Sequence, residues 1–316
     1  MNERVVVVNA KKMNYDHLLD FAGLSRDVAV YDDSTDEEII ERIQGARVVV
    51  TKELPVSGEL IHRFPKSVEL IVEAGTGYNN IDLDAARAKG ITVCNIPAYS
   101  TERVAHTAIM MIMNFASTMH QQIAMLARGD RSNFTNHLQV PHTEIKGKTL
   151  CISGSGHIGM EVVKVAKALG MNILIYTRTP KEDGDGIRYV SLDELLAHSD
   201  YISLHCQLNE HTKDMSNKET IAKMKPTAVI VNTGRGALIN EADLCEALKA
   251  HKIGGAGLDV QEVEPPREDS PLYTLDNVII TPHMGWKGLE TRQRLVGIIK
   301  DDIHGFSAGK PINVVS

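Results

Sequence analysis

Three short segments carry side chains suited to acid–base chemistry. They are Val231-Asn232-Thr233-Gly234-Arg235-Gly236, Gly257-Leu258-Asp259-Val260-Gln261-Glu262-Val263-Glu264 and Thr281-Pro282-His283-Met284-Gly285-Trp286. An imidazole titrates near neutral pH, so His283 can give or take a proton. A carboxylate such as Glu264, bonded to the other ring nitrogen, would fix the tautomer and favour the protonated ring. Arg235 is always charged and forked, which suits a carboxylate partner. Taken singly, each has an ordinary structural reading: a hydrogen-bonded histidine, a loop acid beside Pro265-Pro266, an ion-paired arginine. Together, each just past an apolar run, they argue for a site, because open α/β sheets bind ligands beyond the carboxyl ends of their parallel strands.

A fourth segment, Gly154-Ser155-Gly156-His157-Ile158-Gly159, follows the run Thr149-Leu150-Cys151-Ile152-Ser153 and opens a helical pattern. GxGxxG alone is a weak signal, but between a strand and a helix it is the setting that dinucleotide binding requires. Gly154 allows the tight turn, Gly156 lets backbone approach a pyrophosphate, and Gly159 lets helix and strand pack closely. The amides of His157 and Ile158 would face the anion at the helix N-terminus. At the end of the next strand an acid usually meets the ribose 2′-OH of NAD. Here Thr177-Arg178-Thr179 stand instead. A carboxylate would repel a 2′-phosphate, whereas an arginine can bind one. The expected cofactor is therefore NADP(H), with NAD(H) possible through looser ribose contacts.

The elements that would position these groups alternate. Strands are expected at 4–8, 28–31, 47–51 and 69–73, then at 149–153, 172–176, 201–204, 228–232, 254–259 and 278–281. Helical patterns lie between them at 36–44, 160–169, 192–197 and 241–249. One long helix is expected over 101–128, with Pro97 before it and Gly129 after it. Such alternation predicts an α/β fold of two doubly wound, Rossmann-like parallel-sheet domains with a cleft between them. The closing helix at 287–308 would return to the first domain. Residues 1–98 with 288–316 would then form a flavodoxin-like substrate domain, and 99–287 the dinucleotide-binding domain. In the first of these, Glu73-Ala74-Gly75-Thr76-Gly77 follows a strand, and its glycines favour an exposed-amide anion nest.

Composition narrows the function further. The 316 residues are 43% hydrophobic and 24% charged, as in ordinary globular proteins. A net charge of -7 and only 4% aromatic residues argue against a nucleic-acid partner. No apolar run approaches ~18 residues and no secretory pattern opens the chain, so no membrane association is expected. Cys94, Cys151, Cys206 and Cys245 form no CxxC pair, which argues against a disulfide framework or metal site and for the cytoplasm.

These motifs, in this order and at this spacing, resemble the D-isomer-specific 2-hydroxyacid dehydrogenase family over essentially the whole chain. Residues 95–101 (Asn-Ile-Pro-Ala-Tyr-Ser-Thr), Trp286 and the closing 309–315 are most similar to its glycerate dehydrogenase/hydroxypyruvate reductase branch. The resemblance implies reduction of a short 2-keto acid, hydroxypyruvate or glyoxylate, to the D-2-hydroxyacid, and the reverse. Another short D-2-hydroxyacid such as D-lactate is the alternative within the class. His283 would protonate the developing alkoxide, Glu264 would tune His283, and Arg235 would bind the substrate carboxylate and polarise the ketone. The amides of Thr76 and Gly77 would hold the carboxylate, with Tyr99 and Trp286 walling the substrate. Cofactor contacts would extend to Thr101, Cys206, Thr212, Thr233, Gly234, Arg235, Asp259, His283 and Gly285, with Asp259 on the nicotinamide carboxamide.

The chain departs from the family where His-x-Pro is usual and His205-Cys206-Gln207 stands, leaving the path of that turn open. Thr227 replaces a common glycine. His106, His120, His137 and His142 are expected at surface or subunit contacts, since the family commonly forms homodimers through this region. A dinucleotide-sensing corepressor would keep the same three residues. Such proteins carry extended tails, for which this chain has no evident room.

Overall fold

The computed structural model describes residues 3–179 and 181–316. The chain divides into two compact units. Unit 1 comprises Met1–Ser100 with Trp286–Ser316, and unit 2 is Thr101–Gly285.

Unit 1 is built on β1 (Arg4–Val7), β2 (Asp27–Val30), β3 (Val48–Thr51), β4 (Leu70–Glu73) and β5 (Thr92–Cys94). All pair in parallel in the order β2-β1-β3-β4-β5, a flavodoxin-like winding. The central strands read as unbroken apolar runs because helices cover both faces, leaving Val5, Val6, Val7, Val48, Val49 and Val50 fully buried. The helix Leu289–Ser307 packs in this unit, burying Leu295, Ile299 and Ile303 at the four-residue spacing of one helical face. After it, residues 309–316 run antiparallel along β5. Asn95 N donates to Asn313 O (3.2 Å) and Val315 N to Val93 O (2.9 Å).

Unit 2 holds β6 (Thr149–Ser153), β7 (Asn172–Tyr176), β8 (Ile187–Tyr189), β9 (Tyr201–Leu204), β10 (Val229–Asn232), β11 (Gly255–Leu258) and β12 (Val278–Ile280). Their order is β12-β11-β10-β9-β6-β7-β8, again all parallel. The winding reverses between β6 and β9, so a crevice opens beyond their carboxyl ends.

Two expectations need correction. The long helix over 101–128 is two helices, Thr101–Ser117 and Met119–Ala127, because Thr118 sits in the left-handed region at φ 49°. Polar side chains divert the backbone there. The Thr118 hydroxyl bonds to Pro141 O, Ser117 Oγ turns back on Met113 O (3.0 Å), and Asn114 Oδ1 accepts from His120 N (3.0 Å). The strands β5 and β8 were not expected. Each has three residues and lies at a sheet edge, too short for its periodicity to register.

One buried acid links the closing segment to the helix before it. Asp302 is fully buried, and its Oδ1 accepts from Asn313 Nδ2 at 2.7 Å. Its Oδ2 has no partner among the described residues. Burial raises its pKa to about 7, with Asn313 opposing and Asp301 adding to the rise. The unfolded value is roughly 3.9, so the folded state holds this proton more tightly and stability falls as pH rises from about 4 through 7. Asp302→Asn is therefore expected to raise the melting temperature by at least ~2 °C more at pH 8 than at pH 5, where only the first part of the penalty has accrued. Equal shifts at both pH values would contradict a buried, reluctant charge.

Candidate active site

Unit 2 offers a phosphate cradle at its switch point. β6 ends at Ser153, and Gly154 turns the chain at φ 101°. A Cβ on Gly154 would lie 2.7 Å from Cys206 N, so the turns after β6 and β9 are in backbone contact. Gly156 caps the helix His157–Ala168. A Cβ on Gly159 would collide with the Gly154 carbonyl, while one on Gly156 would meet nothing within 4 Å. The cradle is thus closed beneath and open above, which fits a pyrophosphate at the helix N-terminus. Beyond β7, Thr177 is half-buried and Arg178 and Thr179 are exposed.

The turn after β9 lacks the usual proline but is closed by a hydroxyl. Thr212 Oγ1 donates to Gln207 O (2.6 Å) and accepts from Asn209 N (2.8 Å). His205 is half-buried and bonds through Nε2 to Ser203 Oγ at 2.8 Å. Burial pushes its pKa down to about 4, so it is neutral at physiological pH.

The turn after β10 presents Arg235. Asn232 holds it from both sides, accepting from Gly234 N (3.0 Å) and donating to Arg235 O (2.8 Å). Arg235 Nη1 donates to Gly234 O at 2.9 Å. A Cβ on Gly236 would run into Gln261 O, so this turn lies against the backbone that leads to Glu264. Thr233 Oγ1 is buried without a partner among the described residues, as expected of a hydroxyl that awaits a ligand.

His283 lies after β12 and takes the left-handed conformation at φ 48°, uncommon for a residue with a side chain. Its Nδ1 is 2.8 Å from Glu264 Oε2, and Gln261 N donates to Glu264 Oε1 at 3.0 Å. With Nδ1–H committed to the carboxylate, Nε2 is the nitrogen that can exchange a proton with a substrate. The His283 and Glu264 side chains are 18% and 34% exposed, so the pair is reachable yet partly shielded.

What holds His283 there was not read from the sequence. Asp259, buried at the end of β11, accepts from Thr281 Oγ1 (2.6 Å), Met284 N (2.8 Å) and Gly285 N (2.8 Å). These bonds bracket His283. A Cβ on Gly285 would be 2.8 Å from Asp259 Oδ2, so glycine is needed for that approach.

In unit 1, the turn at Gly75-Thr76-Gly77 is pinned from β5. Ile96 N donates to Gly75 O (2.9 Å), Asn95 Nδ2 to Thr76 O (2.7 Å), and Thr76 Oγ1 to Ile96 O (3.0 Å). Thr76 is exposed, and neither its amide nor that of Gly77 donates a hydrogen bond among the described residues. Tyr99 and Trp286 are buried in this unit. Thr101 opens the first helix of unit 2.

A cavity of about 740 Å³ lies at the opposite end of the unit 2 sheet, against Thr149, Asn172 and Ile187. Its cations Lys167, Arg188 and Lys225 already pair with Asp185, Glu194 and Asp200, so it is not the candidate site. Among the described residues no cluster of three or more His, Cys, Asp or Glu could hold a metal ion. No helix among them is long and apolar enough to cross a membrane.

Residues 109–285 match the family model of the D-isomer specific 2-hydroxyacid dehydrogenase NAD binding domain. The chain is 39% identical to a hydroxypyruvate reductase of Blautia hydrogenotrophica, covering 99% of each protein. It is 38% identical to a glycerate dehydrogenase of Methylorubrum extorquens, covering 89% of each. Among solved structures it superposes with TM-score 0.85 on an NADPH-dependent glyoxylate/hydroxypyruvate reductase of Sinorhizobium meliloti in complex with NADP and malonate. That pair is 26% identical, with 100% of this chain and 97% of the other covered.

The open space above Gly156 gives a sharp test. Gly156→Ala should keep the wild-type melting temperature and weaken dinucleotide binding at least ~10-fold, since its methyl group would meet only the ligand. Wild-type affinity in a fluorescence titration would place the pyrophosphate elsewhere.

Proposed function

The chain belongs to the D-isomer-specific 2-hydroxyacid dehydrogenase family, and from that premise we propose that it reduces hydroxypyruvate and glyoxylate to D-glycerate and glycolate, and catalyses the reverse. It is an NAD(P)-dependent oxidoreductase, and the observation that carries the reading is the 2.8 Å contact between His283 Nδ1 and Glu264 Oε2. When bound in the Gly154–Gly159 cradle, the dinucleotide supplies the hydride. Arg235 binds the substrate carboxylate and polarises the ketone through its fork. His283 protonates the carbonyl oxygen through Nε2 as negative charge develops there. In the oxidative direction the same nitrogen takes the proton back. Thr76 and Gly77 offer open amides to the carboxylate, Trp286 is assigned to the substrate wall, and Asp259 to the nicotinamide carboxamide.

Preference for NADP(H) is supported by Thr177-Arg178-Thr179, exposed or half-buried after β7 where an acid would select NAD. All four cysteines are free, which suits a reducing cytoplasm. A homodimer is supported by apolar side chains left in solvent on the helices after Thr101, among them Met113 (48% exposed), Ile123 (59%) and Phe134 (76%). Sedimentation at the mass of one chain would end that reading.

A kcat/KM panel tests substrate and cofactor together. Hydroxypyruvate or glyoxylate should exceed pyruvate by at least ~10-fold, the scale of a few well-placed polar contacts. NADPH should exceed NADH by about tenfold, and Arg178→Ala should erase most of that margin, because a charge-assisted contact is lost. A preference for pyruvate would move the substrate to D-lactate, and a tenfold preference for NADH would overturn the cofactor assignment.

A further inference from the structure

Lys52 is the first residue after β3 and is 1% exposed, among the largest fully buried side chains of the protein. Lysine is seldom buried, because taking an ammonium out of water is costly. This one is held with care. Asn9, two residues beyond β1, donates through Nδ2 to Lys52 O (2.6 Å) and accepts from Lys52 N (2.9 Å). Lys52 Nζ donates to Glu53 Oε1 at 2.7 Å and lies 3.9 Å from the centre of the Trp286 ring. Burial alone would lower its pKa, but Tyr99, Glu53 and Glu73 turn the net direction upward, so the group stays charged.

Two features of the substrate side of unit 1 rest on that charge. The first is the turn at Gly75. A Cβ there would lie 3.3 Å from Lys52 Nζ and 3.2 Å from Glu73 Oε1, so the turn packs directly on the ammonium and its neighbouring carboxylate. The second is Trp286. Its indole is 5% exposed and its Nε1 has no hydrogen-bond partner among the described residues. With no bond to its edge, the ring owes its directional contact to the ammonium on its face.

We propose that Lys52 is a positioning residue for substrate binding, a buried cation that clamps the Trp286 indole and the Gly75–Gly77 turn as one unit. What that unit holds rests on the keto-acid reading above; the clamp does not. The wall meets substrate and transition state alike, so weakening it raises KM and leaves kcat largely intact. His283 and Glu264 belong to unit 2 and keep their own contacts.

Trp286 is the single tryptophan of the chain, so its fluorescence reports this site alone. Lys52→Met removes the charge at similar volume. The unliganded variant should show acrylamide quenching of Trp286 increased about twofold, and KM for the preferred keto acid raised about tenfold with kcat within ~3-fold, as loss of a desolvated cation–π contact implies. Lys52→Arg, which keeps a cation over the ring, should recover part of both effects. Should Lys52→Met fail to fold, Lys52→Gln keeps a hydrogen-bonding side chain and should give the same two changes. Unchanged quenching and KM in the folded neutral variant, or a fall in kcat at constant KM, would overturn the proposal. If wild-type protein turned over no 2-keto acid, the substrate reading would fail, and the quenching measurement would still judge the clamp.

Discussion

The active geometry of unit 2 depends on one buried carboxylate. Asp259 accepts three hydrogen bonds from residues 281–285, and the loop between those bonds carries His283 at a left-handed backbone position. Such a conformation is costly for a residue with a Cβ and persists only where its surroundings over-determine it. Hydrogen bonds to a charged acceptor contribute roughly 1.5–3 kcal/mol each, enough together to offset that cost. With the loop fixed, the imidazole meets Glu264 through Nδ1 at 2.8 Å. The imidazole proposed to donate the proton is thus placed by a residue that does not itself contact it.

The fold explains why these groups converge. Asn232, Asp259 and the loop after β12 end or follow three adjacent parallel strands, β10, β11 and β12. Parallel pairing puts all three carboxyl ends on one edge, so residues far apart in sequence become neighbours without long loops. The phosphate cradle follows β6 on that same edge of the same sheet. Backbone contact is exploited where side chains would obstruct: at Gly154 against Cys206, at Gly236 against Gln261, and at Gly285 against Asp259. Unit 1 repeats the plan, with Asn9, Lys52 and Glu73 following or ending β1, β3 and β4.

Much of this was legible in the sequence because the signals were redundant. The strands β6, β7 and β9 have the bounds expected from their apolar runs, and the contact between His283 and Glu264 was expected from their chemistry and strand context together. Other features were hidden for physical reasons. The three-residue edge strands β5 and β8 carry no period, whereas β12, equally short, was marked by its unbroken Val278-Ile279-Ile280 run. The break at Thr118 depends on hydrogen bonds to Asn114, Ser117 and Pro141, and no local pattern distinguishes it from helix. The grip of Asp259 on a loop 22 residues away depends on strand register, which one sequence does not display. Lys52 looks like an ordinary strand-end lysine, and only its burial against Trp286 marks it.

In the proposed reaction Glu264 acts through His283, the two forming one proton-transfer unit. A double-mutant cycle on kcat tests this most directly. His283→Ala should lose at least ~10²-fold, the usual scale of acid–base catalysis. Glu264→Gln should lose less. In the double variant the Glu264 substitution should cost nothing further, because a group that works through an absent partner has nothing left to do. Multiplicative losses would contradict the account and give Glu264 a separate role on the substrate.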